Sequence, residues 1–405
     1  MTWSDLPVDL LHCISSYLHI VDFLYFSGVC TSWNLAVSNN ALLGIHCSPS
    51  PWLLLPSDVG EASDTLTFHD LTIQEEEEDG VNIHYRFSSL TDYIFGRRCI
   101  GSKDGWLVTL DKMDMQPRIF NPLTKAEISL PSLFTIPEDK EHRIKLDESS
   151  EFYYNEIHPN YATDVEIFRD VYFRKIVMSS NDQFGTAVVI YGYIKLLALL
   201  RPNDKAWVLG PSDQNNKWVN FEDVYYHEEE HRFYAITHFS AVLAFDLSGQ
   251  NVEFICPRKY DEDAAYSEIM NYIAFLFGNL IKIEREVEYV DLSKIKGDES
   301  MTVKTIRISI FKLLPDAVAW IPIKDLGDFS LFIGCNQTFS LHHTVAPGIR
   351  RNCVYFTDHV ENMSPDEVTR DAGYFDLHSK SFHYFLDSDS QPNWPPSIWF
   401  LPSFS

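Results

Sequence analysis

Three stretches of this 405-residue chain repeat one pattern. They are Phe120-Asn121-Pro122-Leu123-Thr124-Lys125-Ala126-Glu127-Ile128, Phe245-Asp246-Leu247-Ser248-Gly249-Gln250-Asn251-Val252-Glu253-Phe254 and Phe375-Asp376-Leu377-His378-Ser379-Lys380-Ser381-Phe382. Each reads as an apolar strand end, an Asn or Asp, a tight polar turn and an alternating strand. Asn and Asp open such turns because their side chains bond the backbone two residues further on. The unit predicts the outer hairpin of a blade. A proline follows the first two copies, at Pro131 and Pro257.

The segments around these copies have a period of two and are rich in aromatic and β-branched residues, the types that suit a pleated surface. Examples are Cys99 to Leu110, Lys175 to Ser179, Ala187 to Tyr191, Val224 to Thr237, Ile306 to Leu314, Phe329 to Gly334 and Asn352 to Thr357. Only Ala264 to Phe277 is ambiguous between helix and strand. A long succession of short strands with a recurring hairpin predicts a β-propeller, whose blades of about 40 to 50 residues close around an axis. A pair of β-sandwiches using ordinary hairpin chemistry is the alternative.

The first 40 residues have another rhythm. Leu6, Leu10, Leu11, Ile14 and Leu18 recur at helical spacing behind Asp5, with Pro7 where a first turn tolerates it. Asp22 opens a second short run with Phe23, Leu24, Phe26 and Val29, and Thr31 or Ser32 starts a third with Trp33, Ala36 and Val37. Three short helices leave more apolar surface than so small a module can bury. The excess packs either on the rest of the chain or on a partner. The fold class expected is thus a small all-α three-helix module followed by a large all-β domain, a β-propeller.

Charge and cysteine content narrow the function. With 32 basic against 58 acidic residues the formal net charge is -26, which repels phosphate backbones and excludes nucleic acid as a partner. The seven cysteines stand singly with no C-x-x-C pair, so they read as reduced thiols of a cytoplasmic or nuclear protein. The N-terminus has no signal-peptide pattern, and no apolar run approaches the roughly 20 residues of a membrane helix. The acceptor motifs at Asn336 and Asn362 are expected to be silent.

One catalytic motif is present on paper. His227-Glu228-Glu229-Glu230-His231 satisfies H-E-x-x-H, which holds zinc only where a helix puts both imidazoles on one face. Here Phe221 to Tyr226 and Arg232 to Thr237 read as strands, which makes the motif a hairpin turn. Neither G-x-S-x-G, nor a phosphate-binding glycine loop, nor a paired Cys and His accompanies it. The acidic run Glu75 to Asp79 reads as a solvated loop. His12, His19, His342 and His343 carry no spacing that selects them as ligands. No catalytic residue, metal ligand or cofactor is expected, and the chain is not read as an enzyme.

The N-terminal segment WSDLPVDLLHCISSYLHIVDFLYFSGVCTSWNLAVS resembles an F-box: Leu-Pro, a run of leucines, then Val29-Cys30-Thr31-Ser32-Trp33. The remainder, through CIGSKDGWLVTLD, RIFNPLTKAEISLP, LGDFSLFIGCNQTFSL, NCVYFTD, AGYFDLHSKSF and WPPSIWFLPS, is similar to the KIB-type β-propeller of plant F-box proteins. The resemblance implies an F-box at 3–45, a linker with the first strands of the β domain at 46–95, and the propeller at 96–405. It further implies a substrate-recognition adaptor of an SCF-type ubiquitin ligase. The F-box would dock a Skp1-like protein, and through it cullin and RING subunits, while the propeller would bind an unidentified target protein. By the same resemblance Leu6, Pro7, Leu10, Leu11, Ile14, Leu18, Phe23, Phe26, Val29 and Trp33 form the module's core and its Skp1 face. A propeller for a small ligand or glycan, with a vestigial F-box, is the alternative. F-boxes commonly carry Lys or Arg near this signature, whereas no cation precedes Arg86 here. Docking should therefore rest on apolar contact and respond weakly to salt.

Overall fold

A computed structural model gives the structure; it describes residues 3, 6–15, 17–18, 20–38, 51–55, 66–71, 84–87, 97–111, 114–137, 144–146, 152–154, 162–163, 172–179, 185–192, 194–211, 220–257, 269–291, 301–346, 348–357, 371–385 and 397–403. The acidic run at 75–79, His19 and Cys47 lie outside the described residues.

The helical rhythm becomes α1 (Val8–Ser15), α2 (Ile20–Ser27) and α3 (Thr31–Ser38). Pro7 sits before the first turn of α1, and its carbonyl accepts from the Leu10 and Leu11 N–H groups. The second helix begins at Ile20, two residues before Asp22, because Ile20 and Val21 are themselves buried and hold the chain there. The His12 Nε2 and Ala36 carbonyl lie 2.8 Å apart and link α1 to α3. Phe26 and Trp33 pack their rings, tilted by 34°, at 4.4 Å between α2 and α3.

Beyond them the chain forms a six-bladed β-propeller whose sheets are antiparallel except for one pairing in blade 6. Blade 1 orders Ile398–Phe400, Trp52–Leu55, Leu66–Asp70 and His84–Phe87. Blade 2 is Arg97–Lys103, Trp106–Asp111, Pro117–Phe120 and Glu127–Ser129; blade 3 is Phe173–Met178, Ala187–Tyr191, Leu196–Leu200 and Val208–Leu209. Blade 4 is Phe221–His227, Arg232–Thr237, Val242–Asp246 and Val252–Cys256; blade 5 is Ile269–Leu276, Asn279–Asp291, Met301–Leu314 and Ala319–Ile323. Blade 6 orders Phe339–His342, Phe329–Ile333, Cys353–Phe356, Gly373–Asp376 and Ser381–Tyr384, with a parallel pairing of Leu331 to Val354 at its centre. A small three-stranded sheet (Ile144–Leu146, Phe152–Tyr154, Ala162–Thr163) lies between blades 2 and 3 in the sequence.

The ring closes because the last strand returns to the first sheet, pairing Trp52 with Phe400. Closure leaves the inner strands covered on both faces, and these read as continuous apolar runs: every residue of Ala187–Tyr191 is buried. The same physics resolves Ala264 to Phe277. Its described part is the strand Ile269–Leu276, buried on both faces, so no alternation marked it as one.

All three repeated units are outer hairpins, and one side chain makes each turn. Asn121 Oδ1 accepts from the Leu123 and Thr124 N–H groups, Asp246 Oδ1 from Ser248 and Gln250, and Asp376 Oδ1 from His378 and Ser379. Each turn then passes through a left-handed residue, Lys125, Gly249 or Lys380. Cys99 to Leu110 is a hairpin too, broken at Asp104-Gly105, both with positive φ.

Neighbouring blades approach closely. A Cβ at Gly101, on the inner strand of blade 2, would lie 2.3 Å from the Ile176 carbonyl oxygen of blade 3. Blades 5 and 6 share the sealed Arg285, which donates to the Thr305 hydroxyl, the Thr357 carbonyl and Asp371. A charge buried that deeply is tolerated because its donors are taken up by oxygen acceptors.

Candidate functional site

The ten F-box positions separate by burial. Leu11 and Phe26 are core, at 0% and 6% exposure, and together with Ala36 they form the module's own interior. Leu6, Leu18, Phe23 and Trp33 pack half-buried against it. Pro7, Leu10, Ile14 and Val29 are exposed, Leu10 by 51%. Sequence reasoning could not separate Leu10 from Leu11, since adjacent residues of a short helix both fit an apolar stripe.

Sequence reasoning also missed two groups. Ile20 and Val21, with Leu24 beside them, belong to a different interior, packed with Trp52, Phe68, Leu107, Phe120 and Phe400 of blades 1 and 2. Helix α2 is thereby the joint between the module and the ring. Burial, with the charges of Asp70 and of Asp22 on α2, pushes the Tyr85 phenol of blade 1 up to about 12. The second group is exposed: Trp3, Val8, Tyr17, Tyr25 and Leu35 all stand in solvent, Tyr17 by 83%. Their apolar character was readable, but their side of the module was not.

Eight large hydrophobic side chains are therefore exposed between Trp3 and Leu35, against eleven over all the described β domain. Apolar exposure is thus concentrated on this small module, a pattern that in general accompanies interaction surfaces. Before α3, Cys30 lies 3.3 Å from the Ser32 hydroxyl, which with the Trp33 N–H holds the thiol below its ordinary value.

A second site lies on the axis. A cavity of about 150 Å³ is lined by Lys103 and Asp104 of blade 2, Tyr226 and Glu228 of blade 4, Gln337 and Phe339 of blade 6, and Leu401 after the closing strand. Only the axis lies within reach of all four blades. Lys103 is nearly sealed, 2.5 Å from the half-exposed Glu228 and over the Tyr226 ring at 4.8 Å. The pair leaves a fixed cation beneath a carboxylate at the mouth.

The H-E-x-x-H motif sits on the same rim, in the hairpin between Phe221–His227 and Arg232–Thr237, where His227 pairs with Arg232. Its side chains diverge. His227 Nδ1 accepts from the Glu230 N–H at 3.2 Å, and its ring meets Phe275 edge-on at 4.2 Å. His231, at φ +51, places Nδ1 3.3 Å from the Tyr226 hydroxyl. Glu228 is taken by Lys103, and Glu230 accepts from Tyr234. The one-faced helical geometry that the motif requires is not formed. Among the described residues no disulfide is present, and no helix is long and apolar enough to cross a membrane.

The chain matches the family described as KIB1-4 beta-propeller over residues 76–376 and the F-box domain over residues 3–43. It is 24% identical to the F-box protein SKIP23 of Arabidopsis thaliana over 98% of this chain and 95% of that protein. It is 21% identical to the F-box protein At2g05970 of the same plant over 100% of this chain and 97% of that protein. A solved structure of dihydro-heme d1 dehydrogenase NirN in complex with DHE is 13% identical over 87% of this chain and 75% of its own, with a TM-score of 0.32. A likeness at that level carries no argument.

Proposed function

The chain belongs to the KIB1-4 β-propeller family and carries an F-box at its N-terminus, and from this premise we propose that it is the substrate-recognition adaptor of an SCF-type ubiquitin ligase. In this reading the F-box docks a Skp1-like protein, and through it cullin and RING subunits, while the propeller holds the target. The adaptor does no chemistry of its own. It raises the effective concentration of target lysines near the transferring enzyme.

The observation that carries the reading is the division of the module's apolar residues. Ile20 and Val21 spend theirs on the ring, whereas Leu10, Ile14, Tyr17, Val29 and Leu35 leave theirs in solvent. Attachment through α2 holds the docking surface in a fixed relation to the propeller, which an adaptor needs if a bound target is to face the transferring enzyme.

Copurification with a Skp1-like protein tests this. Leu10→Asp should remove at least about 2 kcal/mol of binding, a loss of roughly 30-fold, with the melting curve unchanged, because Leu10 is exposed. Leu11→Asp should instead melt the module. Retained binding in a folded Leu10→Asp, Ile14→Asp protein would overturn the reading.

A second reading, a ligand- or glycan-binding propeller with a vestigial F-box, is favoured by the axial cavity with its buried Lys103. It requires a chain that folds and ignores every Skp1-like protein.

A further inference from the structure

We propose that Asp328, His342 and His343 form a site for a divalent transition metal, zinc by preference, on the rim of blade 6. The three sit together because of register. Phe329 pairs with His342 across the ladder, and the His343 N–H donates to the Asp328 carbonyl at 2.9 Å. One ligand atom from each residue lies within 4.8 Å of the others, and His343 Nδ1 is 3.9 Å from Asp328 Oδ1. In the sequence an adjacent histidine pair and an aspartate fourteen residues upstream match no ligand motif.

Two further observations point to a ligand. His343 Nδ1 is shielded from solvent and has no hydrogen-bond partner among the described residues, a state that costs free energy unless something takes up the nitrogen. His342 is already oriented: its Nδ1 lies 2.7 Å from the Thr344 hydroxyl and 3.3 Å from the Thr344 N–H, and its ring meets Phe329 edge-on at 4.8 Å. The Thr344 N–H donates to Nδ1 and fixes the ring; a metal at Nε2 requires the ring proton to move to Nδ1, where the Thr344 hydroxyl accepts it in place of that bond.

The donor set selects the metal. Two imidazoles and one carboxylate suit zinc, whereas calcium and magnesium take oxygen. Zinc bonds of about 2.0 to 2.2 Å require the donors to close by roughly 1 Å, which half-exposed side chains can do. The fourth position then faces solvent and takes water. Arg351 Nη1, 3.2 Å from Asp328 Oδ1, competes for the carboxylate; it is 70% exposed, and such pairs contribute little.

Zinc titrated into the full chain, read by equilibrium dialysis with metal analysis and by cobalt absorption, tests the proposal. One equivalent of zinc and tetrahedral cobalt bands are expected. His342→Ala and Asp328→Asn should weaken binding more than about 10-fold, with melting temperatures in metal-free buffer unchanged. The pair His227→Ala, His231→Ala should leave it intact. If His342→Ala fails to fold, His343→Ala decides in the same way, since its Nδ1 has no hydrogen bond to lose. Binding only at millimolar zinc, binding that survives His342→Ala, or binding lost with His227→Ala, His231→Ala would overturn the proposal.

Discussion

Lys175 donates to Asp223 across 2.7 Å with both side chains sealed from solvent, and that single carboxylate joins four blades. Lys175 comes from blade 3 and Asp223 from blade 4, while the Ile273 N–H of blade 5 and the Thr338 hydroxyl of blade 6 also donate to it. A buried carboxylate is expensive, and these donors offset the cost.

Asp223→Ala leaves the Lys175 ammonium buried without its anion, so it should cost about 3 to 5 kcal/mol. Thr338→Val removes one hydroxyl donor to that carboxylate and should cost about 1.5 to 3 kcal/mol. Urea unfolding of the two variants ranks them, and a smaller loss for Asp223→Ala would remove the residue from its place as the axial joint.

Gly101→Ala should destabilise the ring by about 1 to 3 kcal/mol. The added methyl would meet the backbone of Ile176, which cannot turn aside. Gly28, whose Cβ would meet nothing nearer than 3.5 Å, is the control. Equal melting temperatures for Gly101→Ala and Gly28→Ala would show that the blades have more room than this.

Burial opposes ionisation of Asp246, but the Ser248 hydroxyl, the Asn251 amide and the Gln250 N–H outweigh it and hold the carboxyl at about 2. A folded value below the unfolded one, which is about 3.9, contributes stability above pH 4 and loses it as pH falls toward 2. Asp246→Asn keeps the turn's acceptor without the charge. Wild type should exceed it in stability at pH 7, and the gap should close between about pH 4 and pH 2. A constant gap across that window would assign the effect to the turn geometry instead.

Docking of a Skp1-like protein should depend weakly on salt. No Lys or Arg precedes Arg86, so the module has no cation to steer an acidic partner, and the exposed residues named above are apolar or uncharged. Affinity measured at low and at high salt should change by less than about 3-fold; a steep loss would mean that charges elsewhere on the ring reach the partner.

Much of this was legible locally. The Asn or Asp that opens each outer hairpin satisfies its turn within four residues, so Asn121, Asp246 and Asp376 announced the blades wherever they occurred. The H-E-x-x-H hairpin was readable from its flanks for the same reason. Exposure was harder: Leu10 and Leu11 are alike in the sequence, and only packing against Phe26 and Ala36 separates them.

By itself the sequence determined the three helices, the recurring hairpins and the acidic, cation-poor character of the N-terminal module, because propensity, turn chemistry and charge act over a few residues. Closing the ring determined the rest. The return of Ile398–Phe400 to Trp52, the meeting of Lys175 with Asp223, and the convergence of Asp328 with His342 and His343 all depend on strand register. Register is settled by burial summed over whole sheets, and no short window of the chain contains that sum.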